Sequence, residues 1–232
     1  IVGAINAGGL NEGRAHVYYG GANPNAVADI TFQGEAAYDF FGVSVSNAGD
    51  MNGDGYDDVI VGAHHNAAGG SNAGRAYVYY GGAVPDNVAD LILTGAAAGD
   101  EFGVAVAGAG DVNGDGYADV IVGANQNTAG GGGAGRAYVF FGGPFADNLP
   151  DLIYTGTVGD FFGWSVNAAG DINGDGFADV IVGALVAGSA DQGRAFLFYG
   201  GLYPDATADL TLTGVTTYDY FGSSVAGAGD MN

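Results

Sequence analysis

Three near-identical strings of nine residues constrain what this chain can fold into: DMNGDGYDD from Asp50, DVNGDGYAD from Asp111 and DINGDGFAD from Asp171. Each runs into an apolar stretch, and each copy follows the last by about 60 residues. A repeat of that length has to be settled before any local reading, because one unit buries its apolar faces only by stacking on its neighbours. The period is marked again by Phe-Gly pairs at Phe41, Phe102, Phe162 and Phe221. Each pair opens a short alternating strand such as FGVSVSNAG, and the acidic string follows it. A second strand then ends in Gly-Ala at Ala63, Ala124 and Ala184, and a loop of variable length leads to a third strand beginning Gly-Arg-Ala. A fourth strand closes the unit as ADITFQG, ADLILTG, PDLIYTG or ADLTLTG. Aromatic and β-branched residues punctuated by 47 glycines, with no long stretch of helical spacing, place the chain in the all-β class. Four short strands per unit is the pattern of a propeller blade.

The acidic strings read as cation loops. Oxygen-bearing side chains stand at loop positions 1, 3, 5 and 9: Asp50, Asn52, Asp54 and Asp58; Asp111, Asn113, Asp115 and Asp119; Asp171, Asn173, Asp175 and Asp179. Position 7 (Tyr56, Tyr117 or Phe177) adds its backbone carbonyl, and a glycine at position 6 permits the sharp turn. All-oxygen ligation by flexible loops suits Ca2+ better than Mg2+, and the loops lack the Cys or His that softer metals select. An EF-hand begins the same way but needs a bidentate Glu at position 12 between two helices. Position 12 here is Val61, Val122 or Val182, inside apolar strands. An acidic turn without an ion would need neither the position-9 Asp nor three copies of the same ligand types. Three full sites are therefore expected, and Asp230 and Asn232 begin an incomplete fourth.

The combination of Phe-Gly, DxNxDGxxD and the following Val-Gly-Ala resembles the FG-GAP repeat of integrin α-subunit propellers and of many secreted or surface microbial proteins. It departs from that pattern in that Ile5, His64, Asn125 or Leu185 follows Gly-Ala where the family has Pro. The resemblance covers the whole chain. It implies an all-β propeller of about four FG-GAP blades, each of four antiparallel strands, with calcium loops between the first and second strands. Residues 1–232 form one domain of units at 1–40, 41–101, 102–161 and 162–220, with 221–232 opening a further unit. Ile1 to Ala4 matches a second strand and Asp230 to Asn232 the start of a cation loop, so the ends could share one blade. Three arrangements follow: four blades closing alone, two chains pairing into one ring, or an excerpt of a larger ring of about seven or eight blades. The excerpt is favoured, because a boundary inside a cation loop is unlike a natural one. Exposed terminal blades would then self-associate.

Composition removes several classes. Four arginines, no lysine and a net charge of −22 leave no basic footprint for nucleic acid. No apolar run reaches the roughly 18 residues of a membrane span. No cysteine is present, and no nucleophile, oxyanion or phosphate-cradle motif appears. The arginines Arg14, Arg75, Arg136 and Arg194 recur once per unit, as do Asp39, Asp100, Asp160 and Asp219 two residues before each Phe-Gly. Recurrence in every unit favours structural Arg–Asp braces over a ligand site.

Residues that break the repeat are few. The His64-His65 pair is expected to be solvated, Trp164 to pack inward, and His16 to fill an aromatic position. The chain is expected to be no enzyme but a calcium-binding, extracellular or cell-surface adhesion module for a protein or glycan partner, its ligand loops at His64 to Gly74, Asn125 to Gly135 and Leu185 to Gly193. The competing expectation is a structural or accessory propeller of a secreted enzyme, surface polymer or filament.

Overall fold

The computed structural model describes residues 1–22, 24–188 and 190–229. These residues contain no helix and form four antiparallel sheets in chain order. The first sheet has three strands, β1 (Val2–Ala4), β2 (Arg14–Val17) and β3 (Ile30–Gln33). The second is β4 (Val45–Gly49), β5 (Asp58–Ala63), β6 (Arg75–Tyr79) and β7 (Leu91–Thr94). The third is β8 (Ala105–Gly110), β9 (Asp119–Ala124), β10 (Arg136–Phe140) and β11 (Leu152–Thr155). The fourth is β12 (Phe162–Gly170), β13 (Asp179–Ala184), β14 (Arg194–Phe198) and β15 (Leu210–Thr213). Each sheet is a blade of a β-propeller.

Blades stack face to face, and the residue types follow from that. The second strands DVIVGA are apolar on both sides because a neighbouring blade covers each face; β9 is buried along its whole length. The first strands are instead rich in Ala, Gly and Ser, since β4, β8 and β12 run beside one another where blades converge. A Cβ on Gly108 would stand 2.7 Å from Asn47 O of the previous blade. Between blades lie three apolar clusters: Phe41 with Tyr77 and Tyr79, Phe102 with Tyr138 and Phe140, and Phe162 with Phe198.

The Phe-Gly pairs mostly do not open strands, as the alternation suggested. Phe41 and Phe102 form isolated parallel bridges to Gly13 and Gly74 of the preceding unit, and β4 and β8 start several residues later. Only β12 begins at the pair, at Phe162. The pair is a joint: the ring drops between two blades while the following glycine turns the chain at positive φ (85° at Gly42).

Candidate functional site: the inter-blade cation loops

Each acidic string connects the first and second strands of a blade. A β-bulge precedes it, where Gly49, Gly110 and Gly170 pair with Asp58, Asp119 and Asp179, so the position-9 side chain is aimed back under the loop. Positions 1 and 5 are organised by backbone amides. Asp111 Oδ1 accepts from Gly114 N (2.7 Å) and Asp115 N (3.0 Å), Oδ2 accepts from Gly116 N (2.9 Å), and Asp115 Oδ1 accepts from Tyr117 N (3.0 Å). Asn113 Nδ2 donates to Asp115 Oδ2 at 2.9 Å. The loops at Asp50 and Asp171 repeat this pattern. The position-9 carboxylate is fully buried and ties two segments together, as Asp119 does by accepting from Val112 N (2.7 Å) and Gly142 N (2.9 Å).

Burial pushes Asp58 up to about 6 and Asp119 up to about 7, against two amide hydrogen bonds that lower each. The neighbouring loop carboxylates push in the same direction as burial. Among the described residues no group of three or more His, Cys, Asp or Glu converges closely enough to hold a metal on its own. The donor set still fits a hard cation. Two aspartates, an asparagine, a buried aspartate and a carbonyl share one tight turn; Asp111 Oδ1 spends both lone pairs on amides, but Asp111 Oδ2, Asp115 Oδ1 and both oxygens of Asp119 accept one amide each and keep a second lone pair. The structure thus brings Asp50, Asn52, Asp54, Tyr56 and Asp58 into one loop, and does the same for the sets at Asp111 and Asp171. Asp230 and Asn232 lie outside the described residues.

The loops are also wired to the next blade. Asp50 O accepts from Ala118 N (3.0 Å) and Met51 O from Gly143 N (2.6 Å); Asp111 O and Val112 O accept from Ala178 N (2.9 Å) and Gly201 N (2.8 Å) in the same way. The side chain at position 2 is a plug: Met51 and Val112 are 0% and 1% exposed in the next inter-blade cluster. The Tyr117 ring covers Gly53 of the previous loop and the Phe177 ring covers Gly114, and all three position-4 glycines hold positive φ, 77° at Gly53 and 76° at Gly114 and Gly174.

No Arg–Asp ion pair forms among the described residues. Asp39, Asp100, Asp160 and Asp219 accept instead from amides of their own turns, those of Ala36, Ala97, Thr157 and Thr216. A neighbouring amide orders far less chain than a distant guanidinium does, so the local partner wins. Arg75 pairs with Glu35 at 2.7 Å on a half-exposed surface, and Arg75 and Arg136 each donate Nε–H to the hydroxyl of Thr94 or Thr155 on the neighbouring strand. Arg14 and Arg194 have buried Nε atoms with no partner among the described residues.

Three recurrent roles escape a sequence reading focused on the cation loops. Asp29, Asp90, Asp151 and Asp209 each clamp a hairpin by accepting the amide of Tyr19, Tyr80, Phe141 or Tyr199. Asn66 and Asn127 are buried at the base of the variable loops, hydrogen-bonded to the hydroxyls of Tyr77 and Tyr138. Their signal was present in the repeat of Asp before each fourth strand and of Asn three residues after Gly-Ala. The third is a row of apolar side chains at matching places in the hairpin loops beside the cation loops: Val84, Phe145 and Tyr203, each over nine-tenths exposed.

Two expectations for single residues are corrected. Trp164 is substantially exposed, although Phe162 and Gly163 before it and Val166 after it in β12 are buried. His64 is not solvated; its ring lies against Phe40 and His65 and its Nδ1 is buried with no hydrogen-bond partner among the described residues. Burial, aided by His65, pulls His64 down to about 4. The fold therefore favours neutral His64, and its contribution is present above the unfolded value near 6.5 and lost as pH falls from there toward 4. Melting temperature should fall between pH 6.5 and 5 less steeply in His64→Leu than in the parent; parallel slopes would refute this.

The comparisons agree with the geometry. Residues 41–79, 102–140 and 162–198 match the FG-GAP repeat, so the blades and their loops define an FG-GAP propeller. Integrin alpha-5 of Xenopus laevis is 37% identical over 66% of the chain, integrin alpha-PS5 of Drosophila melanogaster 32% over 81%, and integrin alpha-IIb of Homo sapiens 34% over 70%. The chain spans only 15%, 19% and 16% of those relatives' lengths. It belongs to the integrin-α-like FG-GAP repeat family.

Proposed function

We propose that this chain is a non-catalytic, calcium-braced recognition module acting outside the cell or at its surface, where it holds a protein or glycan partner. The observation that carries the reading is the position of the cation loops at the joints between blades: carbonyls of loop positions 1 and 2 accept amides of the next blade. An ion there stiffens the blade-to-blade joint and, through it, the loops that meet a partner. A catalytic metal would be singular and would keep an open coordination position beside an acid or base. Each of these loops adjoins apolar strand and glycine instead. The relatives are named as integrin α chains, and adhesion is the role that likeness supports.

The partner surface is assigned to the unit-specific loops His64 to Gly74, Asn125 to Gly135 and Leu185 to Gly193. The exposed row Val84, Phe145 and Tyr203 offers an alternative surface at the other end of the blades. Glycan-array and surface-proteome binding should be measured for chains with one variable loop exchanged for another unit's, and for Phe145→Ser with Tyr203→Ser. Loop exchange should alter binding while leaving calcium affinity and melting temperature nearly unchanged. Binding lost only in the serine variants would move the surface to the cation-loop end. A hydrolytic or transferase activity abolished by one loop Asp→Ala change would sink the reading.

A further inference from the structure

The joint between the third and fourth blades lacks side chains that the earlier joints have. Between the first and second blades, the linker from β3 to Phe41 carries Glu35, whose carboxylate accepts from Arg75 Nη1 at 2.7 Å and from Asn66 Nδ2 at 3.4 Å. Asn66 Nδ2 also donates to the Tyr77 hydroxyl, and Asn127 does the same to Tyr138 in the next joint. Backbone anchors align the three linkers. Gly34, Gly95 and Gly156 each donate to the glycine that precedes β2, β6 or β10, and Ala36, Ala97 and Thr157 each donate to the aspartate three residues on. One residue stands between these anchors in the first two linkers, Glu35 or Ala96, and none in the third. The place of Glu35 is deleted there. Phe196 stands for the tyrosine and Ala187 for the asparagine, so the hydroxyl and the amide are gone as well.

What remains is a cavity of about 160 Å3, with Phe162, Phe196 and Phe198 as apolar lining and Arg194 and Asp160 as charged lining. Arg194 is the counterpart of Arg75 and Arg136. Those two donate Nε–H to Thr94 and Thr155, whereas Arg194 Nε is buried and donates to no described group. Asp160 is 7% exposed; its Oδ2 accepts from the amide and hydroxyl of Thr157, and its Oδ1 accepts from no described group. Arg194 and Asp160 form no ion pair with each other among the described residues. A buried donor and a buried carboxylate oxygen without partners are both costly, and such groups in one cavity point to an occupant. Both walls belong to blades with all four strands in place.

We propose that this cavity binds a small aliphatic α-amino acid. Its carboxylate takes on Arg194 the place that the Glu35 carboxylate holds on Arg75, its ammonium meets Asp160 Oδ1, and its side chain lies on Phe196 and Phe198. The planar guanidinium fork matches a carboxylate. A simple anion would face Asp160 as a like charge, and a simple amine would leave Arg194 unpaired; a ligand with both charges satisfies both groups. The cavity is well below the roughly 300–1,000 Å3 of sites for drug-sized ligands, so the ligand is small. The earlier joints are closed to it. Glu35 already occupies Arg75, and in the second joint the Tyr138 hydroxyl and Asn127 stand where Phe196 and Ala187 leave room.

The arginine count makes the test direct. With four arginines in the chain, a correlation spectrum of arginine Nε–H groups has four peaks, and the Arg194 peak is the one missing from Arg194→Gln. Leucine titrated into the full chain should shift that peak and leave the other three in place. By calorimetry, 4-methylpentanoate, which lacks the ammonium, and 3-methylbutylamine, which lacks the carboxylate, should each bind about tenfold more weakly than leucine. Phe196→Tyr with Ala187→Asn gives this joint the side chains of the second one, and should weaken leucine binding about tenfold with circular dichroism unchanged. An Arg194 peak that does not move at millimolar leucine would overturn the proposal. So would equal affinity for leucine and 4-methylpentanoate, or undiminished binding in the double variant. None of these readouts involves a macromolecular partner or calcium, so failure here leaves the proposed function standing.

Discussion

Chelation should lower the melting temperature of the purified chain by about 15–30 °C. Three independent sites, each filled by calcium at about a hundred times its dissociation constant, contribute roughly 2.7 kcal/mol apiece. For a chain of this length each kcal/mol moves the midpoint by about 2–4 °C. The direction follows from the loops: removing the ion leaves Asp111, Asp115 and Asp119 in one turn, one of them fully buried, with only amides and water to offset their repulsion. Differential scanning calorimetry with and without chelator measures the effect, and titration calorimetry counts the ions. A midpoint that does not respond to chelator, with no calcium uptake, would remove the metal reading altogether. Asp119→Asn separates the two jobs of the position-9 residue. An amide cannot accept at both ends from Val112 N and Gly142 N, so this variant should be destabilised by about 2 kcal/mol even without calcium, and should lose one ion of three with it.

Gly123→Ala should cost about 3 kcal/mol, at the upper end of what overpacking usually costs. A Cβ at Gly123 would collide with the carbonyl oxygen of Gly163 and come within 3.0 Å of its carbon. Both obstacles are backbone, and Gly163 holds φ +83°, so neither side can yield without moving a blade. Gly3, Gly62 and Gly183 meet the same obstacle from Gly42, Gly103 and Gly222. Gly132→Ala serves as the control, since a Cβ there meets nothing within 4 Å. Urea unfolding should show a lower midpoint for Gly123→Ala alone; equal midpoints would mean that the blades are not packed through these glycines.

Those glycines show why the motif was readable but its cause was not. Val-Gly-Ala and Phe-Gly recur in sequence at constant spacing, which is enough to count units and place strands. That Gly123 is small because Gly163 of the next unit lies against it is a contact across 40 residues, and no local pattern carries it. The recurrent arginines mislead for the same reason. Recurrence shows that a residue serves every blade but does not name its partner, and the aspartates before each Phe-Gly are satisfied by their own turns.

The sequence by itself determined the class, the order of strands within a unit and the residue types of the acidic loops, because these depend on alternation, turn chemistry and spacing within about a dozen residues. Tertiary structure alone decided that the loops belong to the joints between blades and that Met51 and Val112 are plugs in the cluster of the next joint. Both stand at loop position 2 beside charged and polar neighbours, so nothing local marks them as core. What buries them is the next blade lying against them, a contact made across about 60 residues of chain.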